Sequence, residues 1–195
     1  MVFDPNRYGA PVAEILALDL SGNRLMPLAM GRRSCAEAER RLDLESAPSL
    51  FLEARAPQAA YAGLYLYFSC LDRSHTLSQE IATPDGSFWH GIMHRQEPDA
   101  GNSAYWFHRV GKHPVFPALL AAAREIVAHQ PGHGMEFGET WDAVKFIHYC
   151  EQARRAPGTP LEQAALEIQR AEWQILFDYC ARPAGHSHIE EPAAL

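Results

Sequence analysis

The chain has 195 residues, 47% hydrophobic and 21% charged, a balance that supports one buried core and excludes an intrinsically disordered chain. Its formal charge of −7 argues against a general nucleic-acid binder, because backbone binding needs clustered Lys and Arg that displace counterions. Arg32-Arg33, Arg40-Arg41 and Arg154-Arg155 are isolated pairs interleaved with acids and read as solvated helix surface.

The start, MVFDPNRYGAP, lacks an apolar core of signal-peptide length. The most apolar run, Tyr61 to Leu71, is too short for a membrane span. These features predict a cytoplasmic protein with neither a membrane nor a nucleic-acid partner. Cys35, Cys70, Cys150 and Cys180 are scattered, with no C-x-x-C pair, and fit free thiols in a reducing compartment.

Taken in chain order, Ile15 to Leu20 is ambiguous between strand and helix. Ser34 can cap a short helix through Arg41, with Glu37 at the capping-box position. Tyr61, Leu64, Tyr65, Phe68 and Leu71 recur at spacings of three and four, which predicts an amphipathic helix from Ala59 to about Arg73 with an aromatic inner face. Extending that stripe by four places His75 near its inward line. Thr83-Pro84-Asp85-Gly86 reads as a turn, with Ser87 capping a short helix that ends before Pro98.

Asn102 can cap the next helix, closed by Gly111. Pro117 suits the first turn of an Ala-rich helix running to about His129, followed by the loop Pro131 to Gly134. Two longer helices follow, Glu139 to Arg155 and Thr159 to Cys180. The second opens on an N-cap threonine, a first-turn proline and a capping-box glutamate, Glu162. The tail after about residue 183, with His186 and His188, reads as a fraying end. The expected architecture is a single all-α domain over residues 1–195, a bundle of six to eight helices.

Ser87 to His113 concentrates the chemistry: four histidines, two tryptophans, two arginines and two carboxylates in 27 residues. His90 and His94 stand four apart, one helical turn, so both imidazoles can point to one ion, zinc or another divalent transition metal. Gly91 occupies the place where a zincin protease carries glutamate, which removes that class. Glu97, Glu80, His75 and His148 are candidate further ligands. The same spacing also suits hydrogen-bonded packing histidines or an acid/base pair, and it does not choose among the three.

Trp89, Asn102, Tyr105, Trp106 and Trp141 are candidate lining residues of a small-molecule pocket. Arg95 and Arg109 can clasp Glu97 and Asp99 across the turn at Pro98, or one of them can orient an anionic substrate group while a histidine moves protons. His108, His113, His129 and His133 rank below these. No nucleophile elbow, P-loop or dinucleotide fingerprint occurs.

The run Trp89 to Arg95, continued by Glu97-Pro98-Asp99, Asn102, Tyr105-Trp106 and Gly111-Lys112-His113-Pro114, resembles the central segment of a group of uncharacterised bacterial proteins. The resemblance spans roughly residues 75 to 116. It implies a bacterial source and transfers no role to any residue. Two functions follow from the residues: a protein that binds a small molecule and a metal around His90 and His94, with hydrolase or isomerase as its sharper form, or a non-catalytic helical module whose histidines stabilise the fold.

Overall fold

A computed structural model describes residues 3–184. Among them the chain forms ten α-helices and no strand, which is all-α as expected but with more helices than six to eight. The surplus comes from short N-terminal pieces and from one helix that splits in two. Ile15 to Leu20, ambiguous by pattern, is divided between α1 (Ala10–Ala17) and the turn after it. The tail from residue 185 on, with His186 and His188, lies outside the described residues.

Several boundaries differ for local reasons. Ser34 does not cap α2 (Ala36–Leu44); its backbone N–H donates to the Phe68 carbonyl instead, and Cys35 stands at the cap position. A four-residue turn of helix, α3 (Ala47–Leu50), carries a Ser46/Ser49 capping box. The helix expected from Ala59 to Arg73 is two helices, α4 (Pro57–Tyr67) and α5 (Leu71–Gln79). Between them Ser69 adopts φ 57°, a left-handed conformation that costs a non-glycine residue roughly 1–2 kcal/mol.

That break is held from both sides. Arg24 Nη2 donates to the Tyr67 carbonyl and, at 2.9 Å, to Ser69 Oγ. Ser34 takes the Phe68 carbonyl at 2.9 Å, and the Cys70 N–H reaches back to the Tyr65 carbonyl at 2.9 Å. Ser74 of α5 then donates to the Ala62 carbonyl at 3.0 Å, folding α5 back along α4. The loose carbonyls of the helix end therefore all find donors.

Thr83, not Ser87, caps α6 (Pro84–Gln96): its hydroxyl accepts from Gly86 N, and Pro84 fills the first helical position. Ser87 is buried inside the helix. Asp99, not Asn102, caps α7 (Ala100–Val110), accepting from Asn102 N at 3.0 Å, while Gly111 closes it at φ 62°. α8 (Phe116–Ala128) falls where expected. α9 (Ala143–Arg154) starts later than Glu139 because Asp142 accepts from Lys145 N. α10 (Pro160–Ala181) opens on Thr159 as expected, and Glu162 completes the cap by accepting from Gly158 N at 2.6 Å.

α6 is the central helix, packed on α7, α5 and α4. Every residue from Gly86 to Gln96 is buried. Two glycines permit this. A methyl on Gly91 would lie 2.9 Å from the Phe107 ring of α7, and one on Gly63 of α4 would lie 2.7 Å from the indole of Trp89. On its other side Gly63 offers its carbonyl to Trp173 Nε1 at 2.8 Å, anchoring α10, whose Trp173 and Phe177 rings stack 4.8 Å apart.

The α6 core position also carries Arg95, whose guanidinium is fully buried. It pairs with Glu172 of α10, donates to Gln169 Oε1 at 3.3 Å and lies 4.6 Å from the Phe146 ring centroid. Burial opposes its charge, and Glu172 more than reverses that, holding the guanidinium pKa above its ordinary value.

These contacts lead to three stability predictions. Gly63→Ala gains about 1 kcal/mol in helix propensity but forces a methyl into a rigid indole, an overpacking cost of roughly 1–3 kcal/mol. Urea unfolding is expected to show a net loss of stability. Gly101→Ala, whose methyl meets nothing closer than 3.7 Å, is expected to gain ~0.5 kcal/mol. For the buried pair, Arg95→Met or Glu172→Gln alone is expected to cost about 3–5 kcal/mol by stranding the other charge, and Arg95→Met with Glu172→Leu to recover most of it. Equal losses in the double and single variants would show that hydrogen bonds to the charges, not the stranded charge, set the cost.

Candidate metal centre

His75 on α5 and His90 and His94 on α6 come together, each offering one ring nitrogen, with these atoms all within 4.8 Å of one another. The ring centroids lie 4.6 Å (His75 to His90), 4.8 Å (His90 to His94) and 5.5 Å (His75 to His94) apart. Tetrahedral coordination with metal–nitrogen bonds of about 2.1 Å needs nitrogens about 3.4 Å apart. His90 and His94 are buried, and His75 is half-buried at the outer side.

Their neighbours assign which nitrogen is free. Ser78, one turn after His75 on α5, donates its single hydroxyl proton to the His75 carbonyl at 3.3 Å. The same hydroxyl lies 2.8 Å from His90 Nδ1, and it accepts from Nδ1–H when its own proton goes to the His75 carbonyl. Glu97 Oε2 accepts from His94 Nδ1–H at 3.1 Å. The carboxylate of Glu97 thus places the His94 proton on Nδ1 and its lone pair on Nε2, and Ser78 as acceptor does the same for His90; a ring so held can ligate a metal through Nε2. No hydrogen bond among the described residues reaches the Nε2 of either ring.

The electrostatics agree. Burial pushes His90 down to about 3, and the neighbouring His94 and His75 add to that shift. Burial also lowers His94, with Glu97 opposing it. Both imidazoles are thus neutral at physiological pH, and no proton competes for their lone pairs. His94 stands in the last turn of α6, where the helix dipole favours a cation.

The remaining expected residues are placed as follows. Trp106 of α7 is half-buried with its ring 4.1 Å from His90, closing one side of the cluster. Tyr105 is 54% exposed, and Arg109 lies over both rings, 5.2 Å from Trp106 and 5.8 Å from Tyr105. Asn102 donates to Asp99 at 2.8 Å; its backbone and side-chain donors hold the Asp99 carboxyl below its usual range.

Other placements correct the expectation. Arg95 is not a substrate arm, because it points into the core toward Glu172. The clasp of Arg95 and Arg109 on Glu97 and Asp99 does not form. Trp89 lies wholly in the core against Gly63, and Trp141 packs on Phe137 and Phe146 away from the histidines. His148 is exposed on the outer face of α9 beside Glu151, and Glu80 is exposed at the end of α5; neither joins the cluster. His113, ranked low as a connector, is a buried clamp instead, its Nε2–H on Asp85 at 3.0 Å and its Nδ1 accepting from Val115 N.

The residue missed as a participant is Ser78, which hydrogen-bonds His90 Nδ1 at 2.8 Å. Its only signal in the sequence is its position three after His75 on a helix, too common a pattern to read.

A pH prediction follows from the buried histidines. An unfolded histidine titrates near 6.5, whereas folded His90 titrates near 3. Between those values the unfolded chain binds more protons. Stability of the metal-free protein is therefore fully present above about 6.5 and is lost as pH falls toward 3, by up to ~1.4 kcal/mol per pH unit for each histidine so held. Thermal melts from pH 7 to pH 4 with chelator present should fall steeply, and His90→Asn should flatten the slope. An unchanged slope in that variant would show that His90 is protonated in the native state.

No family model matches the chain, and neither a curated protein nor a solved structure was found to be similar to it.

Proposed function

We propose that this protein binds one divalent transition-metal ion through the Nε2 atoms of His75, His90 and His94 and uses it in hydrolytic or isomerising chemistry on a small molecule. The observation that carries the reading is the convergence of three imidazoles, two of them with Nδ1 already committed to Ser78 and Glu97. Histidines retained only for packing would have their lone pairs satisfied by donors; here no described residue hydrogen-bonds to Nε2 of His90 or His94, and a third imidazole stands beside them.

An all-nitrogen set without thiolate or carboxylate favours zinc, cobalt, nickel or copper over magnesium or calcium, which prefer oxygen. Three protein ligands leave a coordination position for water or substrate, the arrangement of catalytic rather than structural zinc. Glu97 orients His94 and raises its basicity. Trp106 shields the cluster, and Arg109 stands one ring away from His90. No helix of the described residues is long and apolar enough to cross a membrane. The four free cysteines suit a reducing cytosol, the location we assign.

The second reading, a non-catalytic module with fold-stabilising histidines, draws on the complete burial of Trp89 and His90. Metal analysis separates the two. Protein purified without an affinity tag is expected to hold about one equivalent of a transition metal, and zinc at a hundredfold excess over Kd to stabilise it by about 2.7 kcal/mol, some 5–10 °C in Tm. His75→Ala, His90→Ala and His94→Ala should each abolish that zinc-dependent shift. Metal below about a tenth of an equivalent, with no zinc-induced shift in the parent protein, would leave the module reading standing.

A further inference from the structure

The three histidines are divided unequally between two helices that differ in how firmly they are held. His90 and His94 stand on α6, buried along nearly its whole length, whereas His75 stands on α5. The inward face of α5 is Leu71, Ser74, His75 and Ser78, which gives it one buried aliphatic side chain, two hydroxyls and an imidazole. Leu77 is half-buried, and Asp72, Arg73, Thr76 and Gln79 are exposed. The stabilisation from burial grows with apolar area. By that measure α5 has little to hold it, whereas α4 buries nine of its eleven residues.

What ties α5 to its neighbours is mostly polar. Ser74 Oγ donates to the Ala62 carbonyl at 3.0 Å, Ser78 Oγ lies 2.8 Å from His90 Nδ1, and Arg73 pairs with Asp43 at the exposed surface. Such bonds exchange largely for bonds to water when a helix lifts away, so each adds little net stability. The His75 ring forms no hydrogen bond among the described residues, although it stands on the inward side beside His90 and His94. Turns bound the helix at both ends: Ser69 at φ 57° before it, and residues 80–83 between it and α6. Opening the first of them relieves the unfavourable conformation of Ser69.

We infer that α5 is a metal-operated arm: in the metal-free protein it opens as one unit between Ser69 and residues 80–83, and a divalent transition-metal ion locks it by joining His75 to His90 and His94. The lock rests on the metal reading above; the opening of α5 does not. Because His90 and His94 are buried while α5 is closed, the ion enters and leaves through that opening, which makes the site reversible. The ion shifts the arm toward the closed state because only that state offers it the third imidazole. Its occupancy is thereby coupled to the turn at Ser69, which Arg24 and Ser34 hold from the N-terminal segment.

The test is amide hydrogen exchange of the full chain, chelator-treated and zinc-loaded, with zinc uptake measured in parallel by equilibrium dialysis. In the metal-free protein the α5 amides are expected to exchange at least about tenfold faster than the buried amides of α10. Zinc at a hundredfold excess over Kd should slow α5 exchange by up to about a hundredfold. His75→Ala should remove that zinc effect, and Ser74→Ala, which cuts the tie to α4 without touching a histidine, should speed metal-free exchange of α5 about fivefold. Equal protection of α5 and α10 without metal would overturn the arm. Normal zinc uptake that leaves α5 exchange unchanged would overturn the lock and leave the metal centre intact, and so would a zinc effect on α5 that survives His75→Ala. Fast α5 exchange in a protein that takes up no zinc would remove the metal centre and the lock together.

Discussion

The fold is organised around the burial of a polar helix. Eleven consecutive residues of α6, Gly86 to Gln96, are buried, and among them stand two histidines, an arginine and a glutamine. A buried polar group without a partner costs about 1–3 kcal/mol, and a buried charge more. Each of these side chains therefore dictates something elsewhere. Arg95 requires Glu172 and Gln169 on α10, Gln96 reaches Met26 Sδ at 3.9 Å, His90 requires Ser78, and His94 requires Glu97. Neighbouring helices approach closely enough only because Gly91 and Gly63 lack side chains. The polarity of α6 and the glycines that surround it belong to one solution.

The partner for His90 comes from α5, and α5 exists as a separate helix because the chain breaks at Ser69. Had α4 continued straight through Arg73, His75 and Ser78 would have followed the α4 axis away from α6. A left-handed serine is unfavourable by itself. Arg24, Ser34 and the Cys70 amide satisfy the exposed carbonyls on either side of it, and Ser74 ties the new helix to Ala62. The N-terminal segment thus acts at a distance: residues 24 and 34 hold the turn that presents His75.

What could be read from the sequence follows this division between local and distant causes. The His90–His94 spacing, the caps at Thr159 and Gly111 and the start of α8 depend on neighbours within a few residues, and they were legible. His75 was reached along an aromatic stripe that assumed one unbroken helix; the position was sound, but the route was not, because the break depends on Arg24 and Ser34, more than thirty residues upstream. Arg95 was misread for the same reason. Its partner Glu172 is 77 positions away, and nothing in WHGIMHR separates an arginine aimed at substrate from one aimed at a buried carboxylate. Trp89 shares the inward face of α6 with Arg95, and only Gly63 on another helix explains why its ring has room.

The division of α6 into two faces sharpens the chemistry. Arg95 and Trp89 point toward α10 and α4, where Glu172 and Gln169 take the two terminal guanidinium nitrogens while Arg95 Nε and Trp89 Nε1 stay buried without a hydrogen bond. His90 and His94 point toward α5 and α7, where Nδ1 is engaged by Ser78 and Glu97 and Nε2 receives no hydrogen bond from the described residues. Arg95 is thus closed off among buried groups, whereas His90 and His94, kept neutral by burial and engaged at Nδ1 by Ser78 and Glu97, are joined by the half-exposed ring of His75. One helix carries a buried ion pair on one side and a convergent, uncharged set of imidazoles on the other, and it is the second side that the break at Ser69 completes by bringing α5 alongside.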